Sequence, residues 1–311
     1  MTHEGTVVSV NISEERGTSK HPIGEATIDR HGVVGDAHAG AGTRQVSLLA
    51  EEHIEQFATE CGRPFRCGDF AENLTTRGLD LRNTALLDRF AIGDVALEVT
   101  ELGKRCHGDG CAIFREVGRC VMPRDGIFCR VLSGGGVRPG DTIAHVERAL
   151  RIRVMTLSDR ASRGDYADRS GPRIKERLEE FFRGKRWHVA IDGAILPDDA
   201  GRFRRELESA CAEAVDVVFT TGGTGIGPRD VAPDIVAELA DRLIPGIMEH
   251  IRVTFGADHP NALLSRSVAA VLGQTLVYTL PGSTKAVDEY VGEILKTLEH
   301  AVLMIHAVDA H

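Results

Sequence analysis

Between Thr220 and Asp230 the chain reads TTGGTGIGPRD. Thr221, Gly222, Gly223, Thr224 and Gly225 form a stretch whose backbone can approach an anion closely, with successive amides available as a nest. Asp230 ends it with a carboxylate, the donor type that suits a hard cation escorting phosphates. Three further polar motifs stand in equivalent places. Ser158-Asp159 follows the apolar run 152–157, Pro197-Asp198-Asp199 follows 189–196, and Pro281-Gly282-Ser283, with Lys285 beyond, follows 275–280. Simpler readings exist for each: Asp198 or Asp230 as a helix cap, Ser158-Asp159 as a turn, Lys285 as a solvated helix-start residue. A second constellation crowds 104–123. Cys106 lies among Lys104, Arg105 and His107, and Cys111 and Cys120 follow. Neighbouring cations favour the thiolate, so Cys106 suits a nucleophile or a persulfide carrier. The same Cys106, His107 and Cys111 also suit zinc, in a spacing that matches no standard finger, and small buried hydrophobes are the plainer alternative.

The elements that must position these residues differ between the halves. From 1 to about 147 the chain reads as short strands with Gly/Pro punctuation, at 6–12, 95–100, 126–132 and 140–146, with a turn at Gly134-Gly135-Gly136 and one helix over 48–59. From Arg151 onward strands and helices alternate. Strands are expected at 152–157, 189–196, 215–219 and 275–280, and helices at 172–182 (with Ser170 as its cap), 203–214, 235–240 and 285–305. That alternation implies a parallel sheet with helices on both faces. Such a sheet gathers the carboxyl ends of its strands on one edge, so the four motifs should converge there. The junction at 145–151 has no Pro, Gly or Ser run and reads as a short connection.

The sequence of 311 residues, with 42% apolar content, can build two cores. A formal net charge of -9 shows none of the basic excess of a nucleic-acid surface. No window is long and apolar enough for a membrane-spanning helix, and Met1-Thr2-His3-Glu4-Gly5 does not open a signal peptide, so a cytoplasmic location is expected. The 7 cysteines are odd in number and lie mostly in the first half, which favours free thiols, a metal or redox chemistry over a disulfide framework.

In the second half the ordered set Ser158-Asp159-Arg160-Ala161-Ser162, Tyr166, Asp168-Arg169-Ser170-Gly171, Pro197-Asp198, Thr220 to Asp230, Pro245-Gly246 with Glu249, Leu264-Ser265-Arg266, and Leu280-Pro281-Gly282-Ser283 with Lys285 resembles the molybdopterin adenylyltransferases, the MogA proteins and gephyrin G domains. The resemblance implies an α/β doubly wound, three-layer molybdopterin-binding fold over 148–311. It implies transfer of AMP from ATP to molybdopterin with release of pyrophosphate. Asp198 and Asp230 would be the required carboxylates, holding Mg²⁺ directly or through water. Ser158, Asp159, Thr221 to Gly225, Glu249, Ser265, Pro281, Gly282, Ser283 and Lys285 would bind ATP and molybdopterin. It also implies a homotrimer, with contacts from Ile244 to Phe255 and the terminal helix.

The first half resembles a MOSC domain, a β-rich barrel-type module, over 1–147. The residues that carry this are Gly32 to Gly40, Arg44-Gln45-Val46-Ser47-Leu48-Leu49, Gly68 to Leu74, Gly103 to His107, and Arg138-Pro139-Gly140-Asp141. This implies cofactor binding or sulfur handling, with Cys106 as the local candidate and Asp36, His38 and Arg44 placed near it. Together the halves imply a protein of molybdenum-cofactor biosynthesis that meets other molybdenum-cofactor proteins. The alternative is a chaperone that only holds the pterin.

Overall fold

A computed structural model describes residues 2–103 and 119–308. The chain divides into two compact units, Met1–Arg148 and Ala149–Asp309.

The first unit is a closed barrel. Strands β1 (Thr2–Ile12), β5 (Val46–Ala50), β6 (Leu74–Arg77), β7 (Arg89–Ile92), β8 (Val95–Leu102), β9 (Ile127–Ser133) and β11 (Thr142–Val146) join in the order β11-β7-β8-β9-β5-β6-β1, and β1 pairs with β11 to close the ring. Strand β2 (His21–Ile23) adds to the side of β1, and β10 (Gly135–Val137), β3 (Ala26–Asp29) and β4 (Gly32–Val33) form a small second sheet. Closure buries a core drawn from all seven strands, among it Val7, Val10, Leu48, Leu74, Phe90, Leu97, Ile127 and Ile143.

Two expectations for this unit are corrected. The helix begins at Glu51 (α1, Glu51–Cys61), because 46–50 are a fully buried strand in which Leu48 stands opposite both Leu74 and Ile127. Barrel pairing outweighs the helical spacing of Leu49, Ile54 and Phe57. The triple glycine is no simple turn either: Gly135 and Gly136 pair with Ile28 and Thr27. A Cβ at Gly134 would lie 2.3 Å from the Ile28 carbonyl oxygen, so glycine is needed for the close backbone approach. A short helix, α2 (Met122–Asp125), precedes β9.

The second unit is a six-stranded sheet in the order β13-β12-β14-β17-β16-β15. Strands β12 (Leu150–Leu157), β13 (Val189–Leu196), β14 (Val217–Thr221) and β17 (Thr275–Leu280) are mutually parallel. Strand β16 (Ala269–Leu272) runs antiparallel to both its neighbours, β17 and β15 (Arg242–Leu243), so the sheet is mixed rather than wholly parallel. The short β16 hairpins onto β17 through Gly273, whose φ is +59°, and is too brief to stand out in the sequence. Helices α3 (Asp159–Ser162), α4 (Ser170–Phe182), α5 (Ala200–Ala212), α6 (Ala232–Leu239), α7 (Pro245–Gly256) and α8 (Thr284–Ile305) complete the unit. One core cluster joins Phe203, Leu207, Val218, Val236 and Val277. Strand β14 runs two residues further than expected and includes Thr220 and Thr221.

Candidate functional site

The four parallel strands end side by side. Leu157 is level with Leu196, Thr156 with Thr221, and Thr221 with Leu280. The loops leaving them therefore meet, and two cavities open among them. The larger, of about 500 Å³, is lined by Gly222 to Gly225, Asp230, Ser265, Pro281 to Ser283 and Lys285. The smaller, of about 360 Å³, is lined by Thr156, Ser158, Tyr166, Asp168, Thr221 and Thr284, and shares Gly222, Gly282 and Ser283 with the first.

The loop after β14 is held in a tight conformation. Gly222 has φ +98°, and its amide donates to the Leu280 carbonyl at 2.9 Å. A Cβ there would lie 2.4 Å from the Leu157 oxygen. Asp230 Oδ2 accepts from the Gly227 amide at 2.9 Å, folding the loop back on itself. From outside, Arg266 staples it. Its amide donates to the Thr224 carbonyl (2.9 Å), its Nε to the Gly225 carbonyl (2.7 Å), and its guanidinium also reaches the Asp230 carbonyl and Asp234. With those carbonyls engaged, the loop is held from one side by a single arginine.

Asp198 and Asp159 lock two neighbouring loops together. Asp159 Oδ1 accepts from the Asp198 amide (3.1 Å) while Asp198 Oδ2 accepts from the Asp159 amide (3.2 Å). Arg229, on the glycine loop, reaches over to Asp159 Oδ2 at 2.8 Å. Three loops are thus tied by two carboxylates and one guanidinium. Asp198 lies beside the cavities rather than on their walls, and no bond joins it to Asp230 among the described residues.

The capping alternatives fall away for both aspartates. Asp199, not Asp198, caps α5 by accepting from the Arg202 amide at 2.6 Å. Helix α6 takes no side-chain cap from Asp230, since its N-cap residue is Val231. Ser158 caps the short α3 and Ser283 caps α8. Ser170 is the first residue of α4 rather than its cap, and Asp168 accepts from the Ser170 and Gly171 amides instead. Lys285 lies against His259 Nε2 and stands 3.9 Å from Glu289. Glu249 is exposed on α7 and lines neither cavity.

Sequence reasoning did not single out His259, Asn261, Glu289 or Tyr290 on the larger cavity, or Arg266 as the staple. The signal of the four cavity residues is only position, three to five residues from a motif already read, and Arg266 stood in a motif without a role. Asp198, Asp159 and Asp230 each offer carboxylate oxygens, the donor type of magnesium sites, which commonly use one or two carboxylates with phosphates, but the three do not converge as one ligand group among the described residues.

In the barrel unit, Asp36 and His38 do come together, around a lysine the sequence reading missed. Lys20, wholly buried, bonds both oxygens of Asp36 and lies 3.2 Å from His38 Nδ1. Burial opposes ionisation of Asp36, but hydrogen bonds from His38 and Lys20 and the ammonium charge outweigh it and hold the carboxyl well below its usual range. Asn73 donates to Asp36, and a chain of bonds through Asn11 and Thr75 reaches Glu72. Burial pushes the Glu72 carboxyl up to about 7. Arg44 departs from the expected cluster and pairs with Glu101. Cys106, His107 and Cys111 lie outside the described residues. Burial also pushes up the Cys67, Cys129 and Cys211 thiols.

Residues 153–300 match the profile described as "Probable molybdopterin binding domain", and residues 35–144 match the MOSC domain. The molybdopterin adenylyltransferase of Helicobacter pylori J99 is 32% identical over 51% of this chain and 89% of its own length. The molybdenum cofactor biosynthesis protein B of Staphylococcus carnosus is 37% identical over 50% of this chain and 91% of its own. Gephyrin of Dictyostelium discoideum is 34% identical over 50% of this chain, which spans only 22% of that protein. The chain belongs to the molybdopterin adenylyltransferase family of molybdenum-cofactor biosynthesis, through its second unit, and carries a MOSC domain in its first.

Proposed function

We propose that the second unit transfers AMP from ATP to molybdopterin. The observation that carries this reading is the convergence of the stapled glycine loop, the Asp159–Asp198 pair and Lys285 around two adjoining cavities at the carboxyl ends of four parallel strands. Such transfers depend on positioning and charge neutralisation more than on covalent work by the protein. Gly222 to Gly225 offer backbone amides to phosphate oxygens. Lys285 and Arg229 supply cations, Arg229 after leaving Asp159. Asp198 and Asp230 orient the metal, directly or through water. Mg²⁺ would neutralise charge on the phosphate chain. Two adjoining cavities suit two substrates held end to end.

We further propose that the MOSC unit binds the cofactor or handles its sulfur through Cys106, that the protein works in the cytoplasm with other molybdenum-cofactor proteins, and that it assembles as a homotrimer. An apolar hollow of about 520 Å³ at the β15 edge, with Leu243, Ile244, Ile247 and Met304, supports the last point. Fast alkylation of Cys106 without chelator supports the sulfur role; labelling only after chelation points to zinc, and inertness in both conditions defeats both. The deciding experiment for the second unit is pyrophosphate release from ATP with molybdopterin and Mg²⁺. Release that requires all three supports the transferase. Tight molybdopterin binding without release replaces it with a pterin-holding chaperone.

A further inference from the structure

The sheet of the second unit has two edges of unlike character. One is β15, only two residues long. The other is β13, eight residues long, paired along its whole length with β12 and with no strand on its outer side among the described residues. Long open edges are usually blunted by charge or cover. Strand β13 carries a single charge, Asp192, and that is held by Arg153 at 2.9 Å. Val189, Ile191, Gly193 and Ile195 alternate onto one face. They line two hollows between the strand and α4, one of about 390 Å³ with Phe182 and Trp187, the other of about 330 Å³ with Lys175. Ile195 is 44% exposed, so the helix leaves the apolar face open at this edge.

The groove is also charged. Lys175 lies across the strand at Gly193, where a Cβ would come within 2.8 Å of its Cε and Nζ. Arg183 stands in the other hollow. Neither cation pairs with a carboxylate among the described residues. Of the carboxylates in the two hollows, Asp168 is taken up by Thr156, Ser170 and Gly171, which leaves Glu179 against two cations. A helix and an adjacent open strand edge form a recurrent frame for binding an extended peptide.

We propose that the groove between β13 and α4 binds an extended acidic segment of a partner protein by strand addition. The segment's main chain pairs with the free edge of β13, and its every second side chain, on the α4 side, alternates between an apolar group that packs on Ile191 or Ile195 and a carboxylate that meets Lys175 or Arg183. Eight residues separate these cations, roughly 12 Å at a helical rise, which an extended chain covers in about four residues. A second copy of this chain is a poor occupant, because its β13 would bring only Asp192, already held by Arg153.

The test uses the full chain and a fluorescent, end-capped octapeptide Glu-Ser-Val-Ser-Glu-Ser-Val-Ser, whose glutamates and valines share one face of the extended chain, followed by anisotropy. The expected result is saturable binding that weakens with salt, falls at least tenfold in Lys175→Glu and in Arg183→Glu, and is lost when alternate peptide amides are N-methylated to block pairing. Lys175→Glu should in turn gain affinity for the same octapeptide with lysine in place of glutamate, a gain that a misfolded variant would not show. Absence of binding overturns the proposal. So does equal binding of the two peptides by the unaltered chain, or indifference to N-methylation. A chain that pairs with itself through this edge, seen as self-association abolished by Ile195→Asp, also overturns it.

Discussion

At the scale of single residues, the two aspartates of the proposed transferase differ in how they are held. Asp198 is bound into a reciprocal pair with Asp159, whereas Asp230 is folded into its own loop. Asparagine keeps the size and one acceptor oxygen at each site but removes the charge. Asp198→Asn and Asp230→Asn are therefore expected to lower pyrophosphate release on the order of a hundredfold or more while the melting temperature changes little. Near-normal turnover in both would remove them from the site. The barrel unit offers a pH test. Glu72 is fully buried, has one oxygen without a partner, and titrates near 7 rather than at the ordinary 4.5. Between those values the folded chain holds a proton that the unfolded chain releases. Its contribution is therefore most favourable below about 4.5 and is lost as pH rises through about 7. Glu72→Gln should remove that fall and make the barrel more stable than the parent at pH 8, by about 2 kcal/mol, in chemical denaturation across pH. An unchanged pH profile would mean that Glu72 is ionised or solvated in the folded state. Asp36 has the opposite sign: its stabilisation is present above the usual carboxylate range and is lost on acidification.

At the scale of elements, the glycine loop was the most legible feature of the chain and also the most constrained. The strand-then-glycine-then-helix order was readable because Gly222 and Gly223 adopt φ of +98° and +63°, which side chains resist. Gly222→Ala should cost at least about 2 kcal/mol of stability, from strain and from collision with the Leu157 carbonyl. Gly246→Ala, in open space near the start of α7, should be neutral or slightly stabilising, and thermal unfolding of the two separates the effects. What stayed illegible is equally physical. Leu48 and Leu49 look helical in sequence and are strand because β6 and β9 flank them. Short β15 and β16 have too few residues to show a period. Lys20 drew no notice in the sequence, since nothing local reveals that Asp36, sixteen residues away, encloses it. Arg266 lies forty-one residues from the Gly225 carbonyl it holds.

At the scale of the whole molecule, the proposed chemistry resides in one unit. Residues 149–309 have their own sheet and core. Produced alone, this unit is expected to keep at least half of the full chain's pyrophosphate release and to scatter light as a trimer at micromolar concentration. A silent, folded fragment would show that the MOSC unit supplies part of the site, and a folded monomer would remove the trimer. The barrel carries a different consequence, one of timing. Its ring closes only when β1 meets β11, with Thr2 opposite Val146. During synthesis at about 5–20 residues per second, that last seam has to wait on the order of ten seconds after β1 emerges. Thr2 to Thr6 lack their β11 partners throughout that interval, so a nascent chain paused before β11 presents an unsealed sheet edge to the chaperones and to its neighbours on the same message.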